Sequence, residues 1–208
     1  ASLANEARAD RGESALYTPT ELELFKTGLD PDLYPNVNWR DVILKKHVWQ
    51  NQHFLSVSGG GTNARYYMSL SVLNKDAVFK QDKSANKYDT NVSYHKYSFL
   101  TKIDANLTKT TTLGLKLNQV IVGQNSPGYG DASDNSALWS AQANLTPVTM
   151  PVKYSNGYLS AYGKNADQMS PYVQLNYTGF KEMKRLNTDI SVTLNQNLGF
   201  ITKGLKLR

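Results

Sequence analysis

The chain has no cysteine among its 208 residues, which excludes disulfides and thiolate metal sites and says little about compartment. It has no run of about 18 apolar residues, so no transmembrane helix is predicted. Membrane strands stay open, because each needs only ~9–11 alternating residues. No signal-peptide pattern opens the sequence. Charge is sparse, with Asp, Glu, Lys and Arg making up 19%. The net charge of +6 comes from scattered lysines that form neither a run nor a helical stripe, so nucleic acid is not an expected partner.

Signatures of catalysis are missing as well. No G-x-S-x-G nucleophile motif occurs. The Gly-rich "SVSGGGT" lacks a P-loop lysine and joins two strands, which makes it a turn. His47, His53 and His95 have no metal-ligand spacing and are expected as strand or loop residues. Nothing in the sequence identifies the carboxylate pair of a glycosidase. "GYGDASDN" (128–135) offers Asp131, Asp134 and Asn135 as oxygen ligands, but without EF-hand spacing or a closing Glu it is expected as a polar loop. The expectation is a protein that is not an enzyme and holds no cofactor.

What is present is alternation. Residues 186–200, "LNTDISVTLNQNLGF", put Leu186, Ile190, Val192, Leu194, Leu198 and Phe200 on one side of a strand and Asn187, Asp189, Ser191, Thr193, Asn195 and Asn197 on the other. Four earlier segments behave alike. "HFLSVSG" aligns Leu55 with Val57, and "ARYYMSLSVLN" aligns Tyr66, Met68, Leu70 and Val72 against Arg65, Tyr67, Ser69 and Ser71. "SYHKYSFLTKIDANL" sets Tyr97, Phe99, Ile103, Ala105 and Leu107 against Lys96, Ser98, Lys102, Asp104 and Asn106. "TLGLKLNQVIVG" aligns Leu113, Leu115, Leu117 and Ile121, and "LKLR" begins a sixth strand. The thirteen tyrosines and the uncharged polar residues suit secreted β-proteins and outer-membrane barrels equally.

Residues 1–49 read differently. Thr18, Pro19 and Glu21 form a capping-box pattern for a helix that Gly28 would end. Asn38 would cap a second short helix bearing Trp39, Val42 and Ile43. The connections then alternate: short at 59–64, long at 74–92, short at 108–110, long at 124–184, short at "ITKG". Outer-membrane barrels segregate loop length by rim, with short turns on the periplasmic side and long loops outside. Structureless connections of tens of residues are rare in compact soluble domains. On this pattern residues 1–49 form an external loop region with short helices, and residues 50–208 form the strand segment with its long external loops, together one partial domain.

An ordered set of motifs carries a family resemblance. Asn38-Trp39 precedes a short helix; "LSVSGG" (55–60) precedes Arg65-Tyr66-Tyr67; Ser170-Pro171-Tyr172 stands where an Asn-Pro-Tyr is usual; "ITKGL" (201–205) precedes a strand. With these, nearly the whole chain resembles the barrel region of SusC/RagA-type TonB-linked outer-membrane proteins. It departs from them at Asp76-Ala77, where that family has Glu-Gly, and in lacking a TonB-contacting segment, a plug and most of about twenty-two strands. The resemblance implies a fold of antiparallel up-and-down strands from a transmembrane β-barrel, here partial with about six strands, too few to close a barrel whose minimum is ~8. It implies outer-membrane localisation and import of an oligosaccharide or peptide. The implied partners are a SusD-like lipoprotein, membrane lipid, and a TonB-ExbB-ExbD complex acting through parts absent from this chain. Alone, such a slice is expected to transport nothing.

On the membrane reading the apolar faces meet lipid, and Arg65, Lys102, Asp104, Asp189 and Asn195 face a wet or plug-filled lumen. Tyr66, Tyr67, Tyr94, Tyr97 and Phe200 would then suit interfacial girdles. The alternative is a soluble secreted β-sandwich that binds glycan through its loops. "SALWSAQANLTP" (136–147) reads as a short helix in the long external loop. Its Trp139 either anchors that loop or stacks on a sugar or peptide cargo, and Tyr129, Tyr158 and Tyr162 are further candidates of the same kind.

Overall fold

The computed structural model describes residues 1–129, 136–164 and 168–208. Before the first strand come α1 (Ser2–Ala9), α2 (Pro19–Thr27) and α3 (Trp39–Ile43). The strands β1 (Gln50–Gly60), β2 (Ala64–Lys75), β3 (Ser93–Asn106) and β4 (Thr111–Pro127) follow. Then come α4 (Ser136–Asn144), β5 (Ala161–Tyr162), β6 (Gln168–Met169), α5 (Pro171–Asn176), β7 (Phe180–Asn197) and β8 (Lys206–Leu207). Six strands form one sheet in the order β1-β2-β3-β4-β7-β8, and β5 pairs with β6 in a second, two-stranded sheet. The fold is thus mostly antiparallel sheet, and no described helix is long and apolar enough to cross a membrane.

The chain divides into two compact units. The loop unit comprises Ala1–His47, Val78–Val92 and Ser126–Lys181; the sheet unit comprises Val48–Ala77, Ser93–Asn125 and Glu182–Arg208. Local chemistry accounts for the helices of the loop unit. Thr18 Oγ1 accepts from the Glu21 N–H at 3.3 Å while Glu21 Oε2 accepts from the Thr18 N–H at 2.7 Å, a complete capping box with Pro19 at the first helical position. Gly28 ends α2 at φ +67°, the left-handed conformation that suits a residue without Cβ. The predicted cap of α3 also forms: Asn38 Oδ1 accepts from the Asp41 N–H at 3.4 Å. Helix α5 starts at Ser170-Pro171, where Ser170 Oγ accepts from the Val173 N–H at 3.2 Å.

In the sheet unit the turns set the register. β1 and β2 meet through the Gly61 N–H bonded to the Ala64 carbonyl at 2.8 Å. Gly60 sits there at φ +144°, and a Cβ would fall 2.4 Å from the Ala64 carbonyl oxygen. β3 and β4 meet where Leu107 N–H bonds the Thr111 carbonyl at 2.9 Å. Asn197 N–H to Thr110 O, Thr111 Oγ1 to Gln196 Oε1, and Asn118 Nδ2 to Asp189 Oδ2 run in opposite senses along β4 and β7, so this pair is antiparallel too.

The fifth sheet strand was expected to continue through Phe200, but it stops at Asn197. Asn197 Oδ1 turns back to the Gly199 N–H at 2.9 Å, and Leu198 N–H bonds the Leu205 carbonyl at 3.0 Å, closing a turn. Leu198 and Phe200 therefore belong to that turn and not to the strand's apolar side. The strand gains length at its other end, beginning at Phe180.

The apolar cores lie in the loop unit. One joins Trp39, Leu145 and Met150, with Val37, Val152, Tyr162 and Tyr172 against it. A second joins Phe79, Leu138 and Leu175 with Leu44 and Val92. Phe25 is buried with Tyr17 and Tyr34 edge-on to it, ring centroids 5.4 Å away in each case. Among the described residues, no large apolar side chain of the six sheet strands is buried except Pro127 at the end of β4.

Candidate membrane face and loop groove

Strand pairing turns the alternating sequence into rows that cross the sheet. The register aligns His53, Val72, Tyr97 and Ile121; then Leu55, Leu70, Phe99 and Gln119; then Val57, Met68, Thr101 and Leu117; then Gly59, Tyr66, Ile103 and Leu115; then Ala64, Ala105 and Leu113. The contacts between β4 and β7 add Leu186, Thr188, Ile190, Val192 and Leu194 to the same rows in turn. These five rows contain no Asp, Glu, Lys or Arg. None of their side chains is buried, and several are wide open: Leu55 is 70% accessible, Ile190 73% and Val192 65%. The next row outward holds Asn51, Asn74, His95 and Gly123, with Lys184 opposite Gly123, so charge returns at the border.

The other face carries the charges. Arg65, Lys96, Lys102, Asp104, Lys116, Arg185 and Asp189 all have the opposite parity. Asn118 donates to Asp189 there at 3.1 Å. Lys102 stands directly across from Lys116, and Asp104 across from Arg65. A soluble sheet with one exposed face shows the reverse, apolar residues covered and polar ones wet. An uncharged, exposed apolar band beside a charged opposite face is the arrangement hydrocarbon favours on one side and water on the other.

The expected aromatic girdle is corrected by the same parity. Tyr66 and Tyr97 lie on the apolar face, in the fourth and first of its rows. Tyr67 and Tyr94 lie on the charged face, where the Lys75 ammonium sits 5.9 Å from the Tyr94 ring centre. Nearness to a strand end does not decide which way a side chain points; odd or even position does.

In the loop unit the four aromatic candidates occupy different surroundings. Trp139 is half-exposed on α4, its ring centroid 5.4 Å from that of buried Phe79, so the indole touches the core and still reaches the surface. Tyr162 packs on the Trp39 core, and burial, then the neighbouring Tyr129, pushes its hydroxyl above the usual tyrosine range. Tyr129 is held through its backbone N–H on Thr178 Oγ1 at 3.1 Å. Tyr158 is the most open of the four, at 73%. Tyr129 and Tyr162 are thus neighbours, whereas Trp139 is tied to the other core. Residues 130–135, which include Asp131, Asp134 and Asn135, lie outside the described residues.

A groove of about 580 Å³ is lined by Asn36, Asn38, Asp41, Lys80, Asp82 and Tyr172 together with Val37, Val42 and Val152. Asp82 organises it. Its carboxylate accepts from Ser84 Oγ at 2.6 Å, from Tyr172 Oη at 2.6 Å and from the Ser84 N–H at 2.9 Å, which together hold it below the usual carboxylate range. Burial, then the Asp82 hydrogen bond, pushes the Tyr172 hydroxyl above its ordinary value. Fully buried Asn176 fixes the backbone on both sides, accepting from the Asp82 N–H at 2.8 Å and donating to the Tyr172 carbonyl at 3.0 Å. Carboxylates, amides and an ammonium around an otherwise apolar opening suit a ligand that pairs hydroxyls or peptide groups with an apolar face. None of these groove residues was among the sequence-predicted candidates.

No protein-family model matches the chain. Over 105 residues it is 29% identical to TonB-dependent receptor P26 of Formosa agariphila. That alignment covers 50% of this chain and only 10% of the receptor, so the matched stretch is a small part of that protein's length. The similarity supports TonB-dependent receptors as the family in general and does not select the SusC/RagA type.

Proposed function

We propose that this chain forms part of the barrel wall and external loops of an outer-membrane TonB-dependent importer. The observation that carries the proposal is the uncharged, exposed band on one face of the sheet, with every charge of those rows on the other face. Lipid would cover the band, and the charged face would line the lumen. The similarity to a TonB-dependent receptor supports the same class of protein.

The finer assignment follows the motifs Asn38-Trp39, Arg65-Tyr66-Tyr67 and Ser170-Pro171-Tyr172: an importer of the SusC/RagA type with a SusD-like lipoprotein on its outer side. Residues 1–49 and the long connections would then lie outside the cell. Cargo would be an oligosaccharide or a peptide, met by the Asp82 groove and by Trp139, Tyr129, Tyr158 and Tyr162. Energy would arrive from a TonB-ExbB-ExbD complex through other parts of the receptor.

Brominated lipid tests the proposal. The receptor carrying Ile190→Trp is reconstituted in vesicles of brominated phospholipid beside one carrying Asn195→Trp. The indole at position 190 is expected to be quenched and that at 195 spared. Equal quenching, or none, overturns the assignment of faces.

A further inference from the structure

We infer that Lys75, Lys96 and Arg185 form a cationic collar at the outer end of the lumen wall, and that the cargo it admits is an oligosaccharide bearing carboxylate or sulfate groups. This rests on the importer reading proposed above and names the cargo class within it. Register places the three side chains together. Asn118 bonds Asp189 across β4 and β7, and a Cβ at Gly114 would lie 3.2 Å from Asp104 Oδ1 and 3.7 Å from the Thr193 side chain. Continuing that pairing along the strands sets Arg185 beside Val122, whose other neighbour is Lys96. Lys75 pairs with Tyr94, one row nearer the long connections. Lys96 and Arg185 are two strand spacings apart, about 9–10 Å between backbones. Lys75 is diagonal to Lys96, at about 7–8 Å.

No carboxylate neutralises this cluster. The two rows that hold it, one running from Gln52 to Arg185 and the other from Gln50 to Met183, contain neither Asp nor Glu. Among the described residues none of the three cations takes part in an ion pair. Lys75 lies over the Tyr94 ring at 5.9 Å, and the Arg185 guanidinium meets the Met183 sulfur at 3.9 Å. The carboxylates on this face of β1–β4 and β7, Asp104 and Asp189, belong to rows further in, and Asp189 is engaged by Asn118. Glu182 has the opposite parity and is held by Lys184 at 3.0 Å. Cations alone therefore stand at the end from which the long connections leave, and mixed signs lie deeper. Charges of one sign at the mouth of a passage concentrate the opposite sign there and repel their own.

The wall just inside the collar selects what else the anion carries. The next row inward is Phe54, Ser71, Ser98, Val120 and Asn187. Its hydroxyls and amide exchange hydrogen bonds with ring hydroxyls, and its apolar members suit the C–H faces of the same rings. A peptide main chain would look for backbone partners, but the backbone groups of these paired strands are committed to the ladder. A hydroxylated chain with acid groups meets both levels, its acids at the collar and its rings along the row below.

The test is calorimetric titration of the whole receptor in detergent at about 0.15 M salt, where exposed charges more than about 8 Å apart are screened. The probes are short oligomers of dextran, carboxymethyl dextran and dextran sulfate, which share one backbone and differ in charge, with oligoglutamate as an acidic peptide. At least one charged dextran is expected to bind at least roughly tenfold more tightly than neutral dextran, and the better of the two identifies the acid. Lys96→Gln and Arg185→Gln are each expected to weaken that binding roughly tenfold, the equivalent of one charge-assisted contact. Lys184→Gln removes the adjacent cation from the opposite face and is expected to leave it unchanged. Preserved gel mobility shift on heating shows that each variant remains folded. Failure of both charged dextrans to outbind the neutral one, tighter binding of oligoglutamate than of either, or affinity indifferent to both Lys96→Gln and Arg185→Gln overturns the inference. A loss of thermal stability in those two variants with affinity intact overturns it too, and assigns the collar to an acidic surface elsewhere in the receptor. Quenching at position 190 reports the lipid-facing assignment separately, so the two can fail independently.

Discussion

Replacing Ile190 by arginine tests the membrane face at its most demanding point. Ile190 belongs to the middle of the uncharged rows, level with Thr101 on β3. From Thr101 to the charged border at His95 is six residues along the strand. At ~3.3 Å per residue this is about 20 Å, and a barrel strand tilted ~40° converts it to about 15 Å of depth, half of a ~30 Å hydrocarbon core. A guanidinium there is too deep to snorkel to the border. A charge at the midplane of a barrel's lipid face costs about 2–4 kcal/mol, which lowers the folding constant between roughly 25- and 700-fold. Ile190→Arg is therefore expected to lose that much in denaturant unfolding of the receptor from lipid vesicles, followed by tryptophan fluorescence. Asn195→Arg, on the opposite face, is expected to change stability by no more than about 0.5 kcal/mol, as for ordinary wet positions. A cost for Ile190→Arg as small as that of Asn195→Arg would place Ile190 in water and end the argument from faces.

Three further outcomes are expected. Phe79→Ala removes a fully buried ring from the core that also holds Trp139, and is expected to cost about 3–5 kcal/mol, read as faster proteolysis within the loop unit. Tyr172→Phe removes the hydroxyl that donates to Asp82 and is expected to cost about 1 kcal/mol, with a matching rise in amide exchange around Ser84. Because the folded-state value of Asp82 is lowered, its stabilising effect is present above the usual carboxylate range and is lost as pH falls through the lowered value; amide exchange in the groove should rise on that acid side, and Asp82→Asn should remove the pH dependence.

The strands were legible because their chemistry is local: two-residue alternation in "ARYYMSLSVLN" or "LNTDISVTLNQN" fixes both the element and its two faces. The α2 and α3 caps were legible for the same reason, since Thr18, Glu21, Gly28 and Asn38 act within a few residues. Helix α1 was not, because Ala1 supplies no capping side chain and the segment buries no residue. Helix α5 has its signal in Ser170-Pro171, a capping residue followed by a first-turn proline, but at six residues it is too short for an apolar period to mark it. The end of β7 depended on a side chain, Asn197, folding back on its own backbone, which an apolar pattern continuing to Phe200 conceals. The groove was invisible for a different reason: Asp82 and Tyr172 are 90 positions apart, and no spacing rule reaches so far.

The charged face gives a test of opposite sign to that at Ile190. Lys102 and Lys116 are directly opposed on neighbouring strands and both are exposed, while Asp104 lies diagonal to Lys116. Like charges directly opposed are destabilising, and opposite charges there are worth roughly 0.2–1 kcal/mol. If this face borders water, Lys116→Glu exchanges direct repulsion for attraction, partly offset by the diagonal Asp104 and Asp189, and is expected to stabilise by the lower part of that range at low salt. The gain should fade as salt rises and the screening length drops to about 3 Å at 1 M. Were the face instead buried in hydrocarbon, adding a carboxylate would cost desolvation, and salt in the bulk phase would alter little. A destabilised, salt-insensitive Lys116→Glu would thus reverse the assignment of inside and outside even if Ile190→Arg behaved as expected. Both substitutions add or move a single charge within one sheet, and only a sheet with water on one side and lipid on the other returns opposite signs for them.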